Sequence, residues 1–105
     1  MLTIDQIKAV VSDYFRDKPV KKVWLFGSYA RGEADEESDV DLLVEIDYGK
    51  KLGWAFYGWP DELREKFKTK KVDVVSLGGL SKYIGPYILS ERKLIYEEDT
   101  RHRAA

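Results

Sequence analysis

Asp39 and Asp41 stand two apart and are followed by the apolar run Leu42-Leu43-Val44. Side chains alternate along a strand, so both carboxylates project to one side and Val40 to the other. Aspartate is depleted in strands, and two on one face repel each other. A divalent cation relieves that repulsion, because Mg²⁺ takes oxygen ligands and binds one or two carboxylates together with substrate phosphates. For an isolated pair, solvated acids at a strand mouth would be explanation enough. The pair is not isolated, because Asp73 is embedded in Val72-Asp73-Val74-Val75. Taken alone, Asp73 reads as a strand-edge acid or a partner for Lys71. If its strand lies beside the first, all three carboxylates converge, and such a trio anchors a two-metal site for phosphoryl transfer.

The other half of the chemistry is Gly27-Ser28. Glycine lets backbone approach a phosphate closely, and a following helix start offers free N–H groups. Ser28 adds a hydroxyl donor or caps that helix. An ordinary strand–glycine–cap turn has the same appearance. The stretch is no Walker A loop, since G-x-x-x-x-G-K-[ST] is missing, and Gly27 and Gly32 lack the middle glycine of a dinucleotide fingerprint. Leu25-Phe26-Gly27-Ser28-Tyr29 lacks the G-x-S-x-G of a hydrolase elbow.

These residues need elements to hold them. Thr3 and Gln6 form a capping-box pattern, and Ile4, Ile7, Val10, Val11, Tyr14 and Phe15 draw one apolar helical stripe that ends at Lys18-Pro19. Residues 22–26 read as a buried strand stopping at Gly27, and residues 28–31 as a short helix. Residues 40–46 and 72–77 are further strands. Thirty-two positions separate Asp41 from Asp73, room for the crossover helix that a parallel neighbour requires. That helix is expected at residues 61–67, after an interruption at Pro60. Residues 87–91 read as a last helix and 94–96 as a closing strand. Residues 97–105 read as a polar, frayed tail. The alternation predicts one small α/β (α+β) domain over residues 1–105, a mixed sheet of three to four strands with helices packed against it. Residues 53–59 are unusually aromatic. Trp54, Phe56, Tyr57 and Trp59 form a candidate partner surface, with core packing expected for at least two of the four.

The 105 residues carry 18 Lys and Arg against 19 Asp and Glu, a net charge of −1. That balance gives no support to stable nucleic-acid binding. It hides an acidic segment, residues 33–47, and a lysine-rich one, residues 66–71. There is no cysteine, which removes disulfides, thiolate metal sites and cysteine nucleophiles. The single histidine, His102, falls in the tail, so Ser-His-Asp chemistry is a poor expectation. No apolar run is long enough for a membrane span, and the N-terminus has no signal-peptide pattern. The expected setting is a soluble, cytoplasmic protein.

Gly27-Ser28, ten intervening residues and Asp39-Val40-Asp41 resemble the signature of the nucleotidyltransferase superfamily that includes DNA polymerase beta. The fuller string, Gly27-Ser28-Tyr29-Ala30-Arg31-Gly32 continuing to Ser38-Asp39-Val40-Asp41-Leu42, resembles the minimal nucleotidyltransferases, the MNT-type antitoxins that pair with HEPN-domain toxins. The resemblance covers roughly residues 4–96. It implies a nucleotidyltransferase-like fold, with Gly27 and Ser28 on the triphosphate of ATP. It also implies Asp39, Asp41 and Asp73 as the catalytic carboxylates holding two Mg²⁺. Arg31 falls on the arginine of the pattern, on phosphates or ordering the loop, with a surface ion pair to Glu33 or Asp35 as the alternative. Ser38 is the weakest nucleotide-site candidate, capping or orienting the loop before Asp39.

The implied reaction is attack of a hydroxyl on the α-phosphorus of ATP with loss of pyrophosphate. Larger members hold nucleic acid or an antibiotic with extra domains, and a chain of this length is expected to borrow its acceptor site from a partner or its own oligomer. By resemblance the acceptor is a tyrosine of a HEPN-type toxin. Two other readings stay open: a binding module that neutralises by occlusion, and a subunit of an aminoglycoside-type nucleotidyltransferase.

Overall fold

The computed structural model describes residues 1–68 and 71–98 of the chain. Helix α1 (Ile4–Phe15) starts as its sequence dictates. The Thr3 hydroxyl accepts the Gln6 N–H at 3.0 Å while the Gln6 side chain accepts the Thr3 N–H at 2.8 Å. Two otherwise orphaned donors are satisfied reciprocally. The predicted stripe is the buried face, through Ile7, Val11, Tyr14 and Phe15.

Strand β1 (Val20–Phe26) runs into helix α2 (Gly27–Arg31), and strand β2 (Val40–Ile46) follows the acidic loop. β1 begins two residues before the expected Lys22. Val20 is fully buried and pairs with Ile46, with an irregularity before Lys22. Lys21 and Lys22 break the apolar pattern and mask that start. A short 3₁₀ turn (Ala55–Gly58) leads into α3 (Trp59–Phe67). Pro60 does not interrupt this helix. It occupies the first turn, where a proline lacks no hydrogen bond the helix would use. Strand β3 (Val72–Ser76) is followed by a 3₁₀ turn (Leu77–Gly79), helix α4 (Gly85–Glu91) and strand β4 (Lys93–Glu97). Pro86 likewise sits in the first turn of α4, which starts before the expected Tyr87. Glu97 belongs to β4, opposite Lys22, and the Glu98 N–H donates to the Lys21 carbonyl at 2.8 Å. The tail expected from Glu97 therefore begins later, and residues 99–105, His102 among them, lie outside the described residues.

The four strands form one mixed sheet in the order β3-β2-β1-β4. β1 is antiparallel to both β2 and β4, and β2 is parallel to β3 with α3 in the crossover. One face carries the larger core: Val23, Leu25, Val40, Leu42, Val44 and Val72 meet α1, α2 and α3. The other is thinner, with Trp24, Leu43 and Ile88 of α4 at its centre and Phe26, Val75, Leu77 and Leu80 around them. Because side chains alternate, Asp41 shares a face with Leu43, and Asp73 with Val75. The acids therefore stand on the α4 side, beyond the edge of the thinner core. Among the described residues no helix is long and apolar enough to cross a membrane.

Candidate active site

The site forms where β1 ends and β2 and β3 begin. Phe26 pairs with Asp41, and Asp41 pairs across the parallel ladder with Asp73. The β3 strand enters beside β2 because the Val40 N–H donates to the Lys71 carbonyl at 3.1 Å. This register brings Asp73 level with Asp41 rather than with Asp39, which stands one residue before β2.

Directly after Phe26 the chain turns at Gly27, which has a φ of +75°. L-residues rarely adopt that backbone, and the space around it is closed as well. A Cβ on Gly27 would overlap the Asp41 carboxylate and lie 3.0 Å from its Cγ. The glycine thus brings the turn against the acid pair. Ser28 follows as the second residue of α2, and its carbonyl accepts the Gly32 and Glu33 N–H groups.

Asp41 is half-buried, and its carboxyl is pushed up to about 7. Burial is the largest cause; a hydrogen bond with Asp73 and the charges of Asp73 and Asp39 add to it, and Lys71 opposes them. A low-dielectric setting with like charges disfavours the ionised form. Lys71 reaches Asp73 at 3.5 Å, the contact its neighbouring position anticipated. Among the described residues no three acidic or histidine side chains are already drawn together tightly enough to grip a metal ion. Asp41 and Asp73 are the close pair, and Asp39 acts on Asp41 through its charge. The donor set still suits Mg²⁺: it is all carboxylate oxygen, and it holds mutual repulsion that a hard cation would neutralise.

The remaining sequence candidates are placed differently. Arg31 donates from Nε to Glu33 at 3.1 Å and from Nη1 to Glu91 at 3.0 Å. One of its two anticipated ion-pair partners, Glu33, is therefore present. Ser38 organises the loop ahead of Asp39: its hydroxyl accepts the Asp35 N–H at 2.9 Å and donates to the Asp35 carboxylate at 3.3 Å. Glu91 was missed by sequence reasoning. It accepts the Gly27 N–H at 3.0 Å as well as the Arg31 bond, and nothing local in the chain marks it. The aromatic segment divides as expected. Trp59 is fully buried and Phe56 partly so, packed edge-on at 5.3 Å, whereas Trp54 and Tyr57 are 85% and 72% exposed.

Comparison with known proteins places these features. The family model described as a nucleotidyltransferase domain matches residues 4–102. A candidate protein adenylyltransferase of Methanocaldococcus jannaschii is 37% identical over 91% of this chain and 99% of its own length. The protein adenylyltransferase MntA of Thermococcus cleftensis is 32% identical over 87% of this chain and 94% of its own. In the solved structure of a tri-AMPylated HEPN toxin of Shewanella oneidensis in complex with an MNT antitoxin, one chain superposes with a TM-score of 0.61 at 18% identity. That match covers 96% of this chain and 74% of the other, and it supports the fold.

Proposed function

The chain belongs to the nucleotidyltransferase domain family, and from that membership we propose that it is an antitoxin that moves AMP from ATP onto a tyrosine hydroxyl of a HEPN-type toxin. The observation that carries this reading is the meeting of Gly27 with Asp41 and of Asp41 with Asp73 at one corner of the sheet. A phosphate-binding turn and a carboxylate cluster in contact are the two halves of a nucleotidyl-transfer site. The names of the relatives favour a protein acceptor, and the near-neutral charge of the chain agrees with it better than a long nucleic acid would.

In this mechanism the Gly27 turn admits the triphosphate close to backbone, and Ser28 and Arg31 bind its oxygens. Asp39, Asp41 and Asp73 would hold two Mg²⁺, which when bound supply a lowered pKa for the attacking hydroxyl and neutralise charge on the triphosphate. The acceptor oxygen forms a bond to the α-phosphorus, and the bond from that phosphorus to the bridging oxygen breaks, releasing pyrophosphate. The Asp73 side chain remains 41% exposed, which supports assigning it to receive the hydroxyl proton where a base is needed. No described histidine is available for that role.

The test is transfer of label from ATP marked at the α-phosphate, with Mg²⁺ and a HEPN-type toxin encoded in the source cells. ATP marked at the γ-phosphate runs in parallel, beside the double variant Asp39→Asn/Asp41→Asn. Label on the toxin from α-marked ATP alone, lost in the double variant, is the expected result. Label from the γ-phosphate would make the protein a kinase and end the proposal. A double variant that still neutralises the toxin would favour occlusion.

A further inference from the structure

Glu91 occupies a position that its own helix disfavours. It is the last residue of α4, where the negative end of the helix dipole repels a carboxylate. Its partners lie far away in sequence, and the β1–β4 register explains how they meet. Leu25 pairs with Lys93 and Trp24 with Leu94. Lys93 opens β4 two residues after Glu91, and Leu25 stands two residues before Gly27, so this pairing brings the end of α4 beside the start of α2. One carboxylate oxygen then accepts the Gly27 N–H at 3.0 Å, and the other accepts from Arg31 Nη1 at 3.0 Å. The side chain is 24% exposed, so these charge-assisted bonds are partly shielded from water.

Gly27 is therefore held through two different atoms. Its N–H is fixed by Glu91, and its Cα is pressed against the Asp41 carboxylate. Without Glu91 the turn keeps the second restraint only, and Arg31 keeps only Glu33, which is 65% exposed. We propose that Glu91 is a positioning residue for nucleotidyl transfer: it fixes the Gly27 backbone and the Arg31 guanidinium in the arrangement that receives the triphosphate. This rests on the nucleotidyl-transfer reading of the site. Because Glu91 acts through the turn and the arginine, which the proposed mechanism sets on the triphosphate, its effect falls on that phosphate chain, of which AMP keeps a single phosphate.

The experiment is calorimetric titration of the full chain with ATP and with AMP, each with MgCl₂. It compares the wild type, Glu91→Ala, Glu91→Gln, Arg31→Ala and the double variant Glu91→Ala/Arg31→Ala. The Glu91→Ala Kd for ATP should rise about tenfold, near 1.4 kcal/mol, with the Kd for AMP unchanged. Glu91→Gln keeps an acceptor for the Gly27 N–H and should recover part of the loss. The double variant should lose less than the two single losses combined. A purely structural role would lower the melting temperature and leave both Kd values of the folded fraction alone, which overturns the proposal. Tighter ATP binding by Glu91→Ala would overturn it too, because Glu91 would then be a placeholder where phosphate binds. A wild-type chain that binds neither nucleotide would overturn the nucleotidyl-transfer reading itself, and this proposal with it.

Discussion

Asp41 and Asp73 face each other across the only parallel strand pair among the described residues, near enough for one carboxyl to hydrogen-bond the other. Burial and that neighbour push the Asp41 carboxyl up to about 7. In the unfolded chain it titrates near its ordinary 3.8. The folded chain therefore keeps an extra proton between those values. The stability this supplies is complete below about pH 4 and is lost as pH rises through about 7. Asp41 is only half-buried, so solvent screening reduces the effect to about 1 kcal/mol, or roughly 4–8 °C of melting temperature. In EDTA, the wild type should melt lower at pH 8 than at pH 5 by somewhat over half of that margin, because part of it is already lost between pH 4 and pH 5. Asp41→Asn should flatten the difference, and Mg²⁺ should restore the wild type at pH 8. Thermal unfolding followed by circular dichroism across pH checks all three.

Asp73 contributes to the Asp41 shift but ranks behind burial. Asp73→Asn should move the pH transition of the metal-free protein to lower pH without bringing it to the ordinary carboxylate range. If Asp73 receives the hydroxyl proton, transfer should fall by about 10²–10⁴-fold. Nucleotide affinity should fall much less, since Gly27, Ser28 and Arg31 are untouched. Initial rates of AMP transfer, set beside calorimetric ATP affinities, separate the two effects.

Two glycines with nearly the same backbone give a controlled comparison. Gly27 has φ +75° and Gly32 φ +74°. A Cβ at Gly27 would strike Asp41, whereas at Gly32 nothing lies within 4 Å. Alanine at either position should cost about 1–2 kcal/mol from the left-handed backbone alone. Only Gly27→Ala should also displace Asp41 and abolish transfer. Chemical denaturation gives the stability of both variants, and the labelled-ATP assay gives their activity.

What the sequence revealed depended on how local each signal was. Asp39-Val40-Asp41 leading into an apolar strand is a pattern of adjacent residues, and β2 runs over the expected residues 40–46. Asp73 was legible because a carboxylate inside Val72-Asp73-Val74-Val75 violates strand preference. Glu91 was not legible, because its role comes from the β1–β4 register and from a glycine 64 positions away. Pro60 was misleading for a related reason: a proline reads as a breaker until its place in a first turn is known. Val20 was hidden by the two lysines that follow it.

The aromatic segment yields the last prediction, because its four rings have such different surroundings. Trp59 is fully buried, edge-on to Phe15 and Phe56 at 5.3 Å each. Its indole N–H is buried with no hydrogen-bond partner among the described residues. Trp59→Ala should cost about 3–5 kcal/mol through lost burial and the cavity left behind. Trp59→Phe keeps a ring and removes the orphaned donor, so it should cost far less than the alanine variant. Trp54 and Tyr57 touch each other at 5.9 Å between ring centres, Tyr57 also meets Phe56 edge-on at 5.6 Å, and both rings are largely exposed. Alanine at either should change stability by no more than about 0.5 kcal/mol. Urea unfolding of the four variants checks the ranking. A large loss at Trp54 would mean that its exposed ring is covered in solution, by a second copy of the chain.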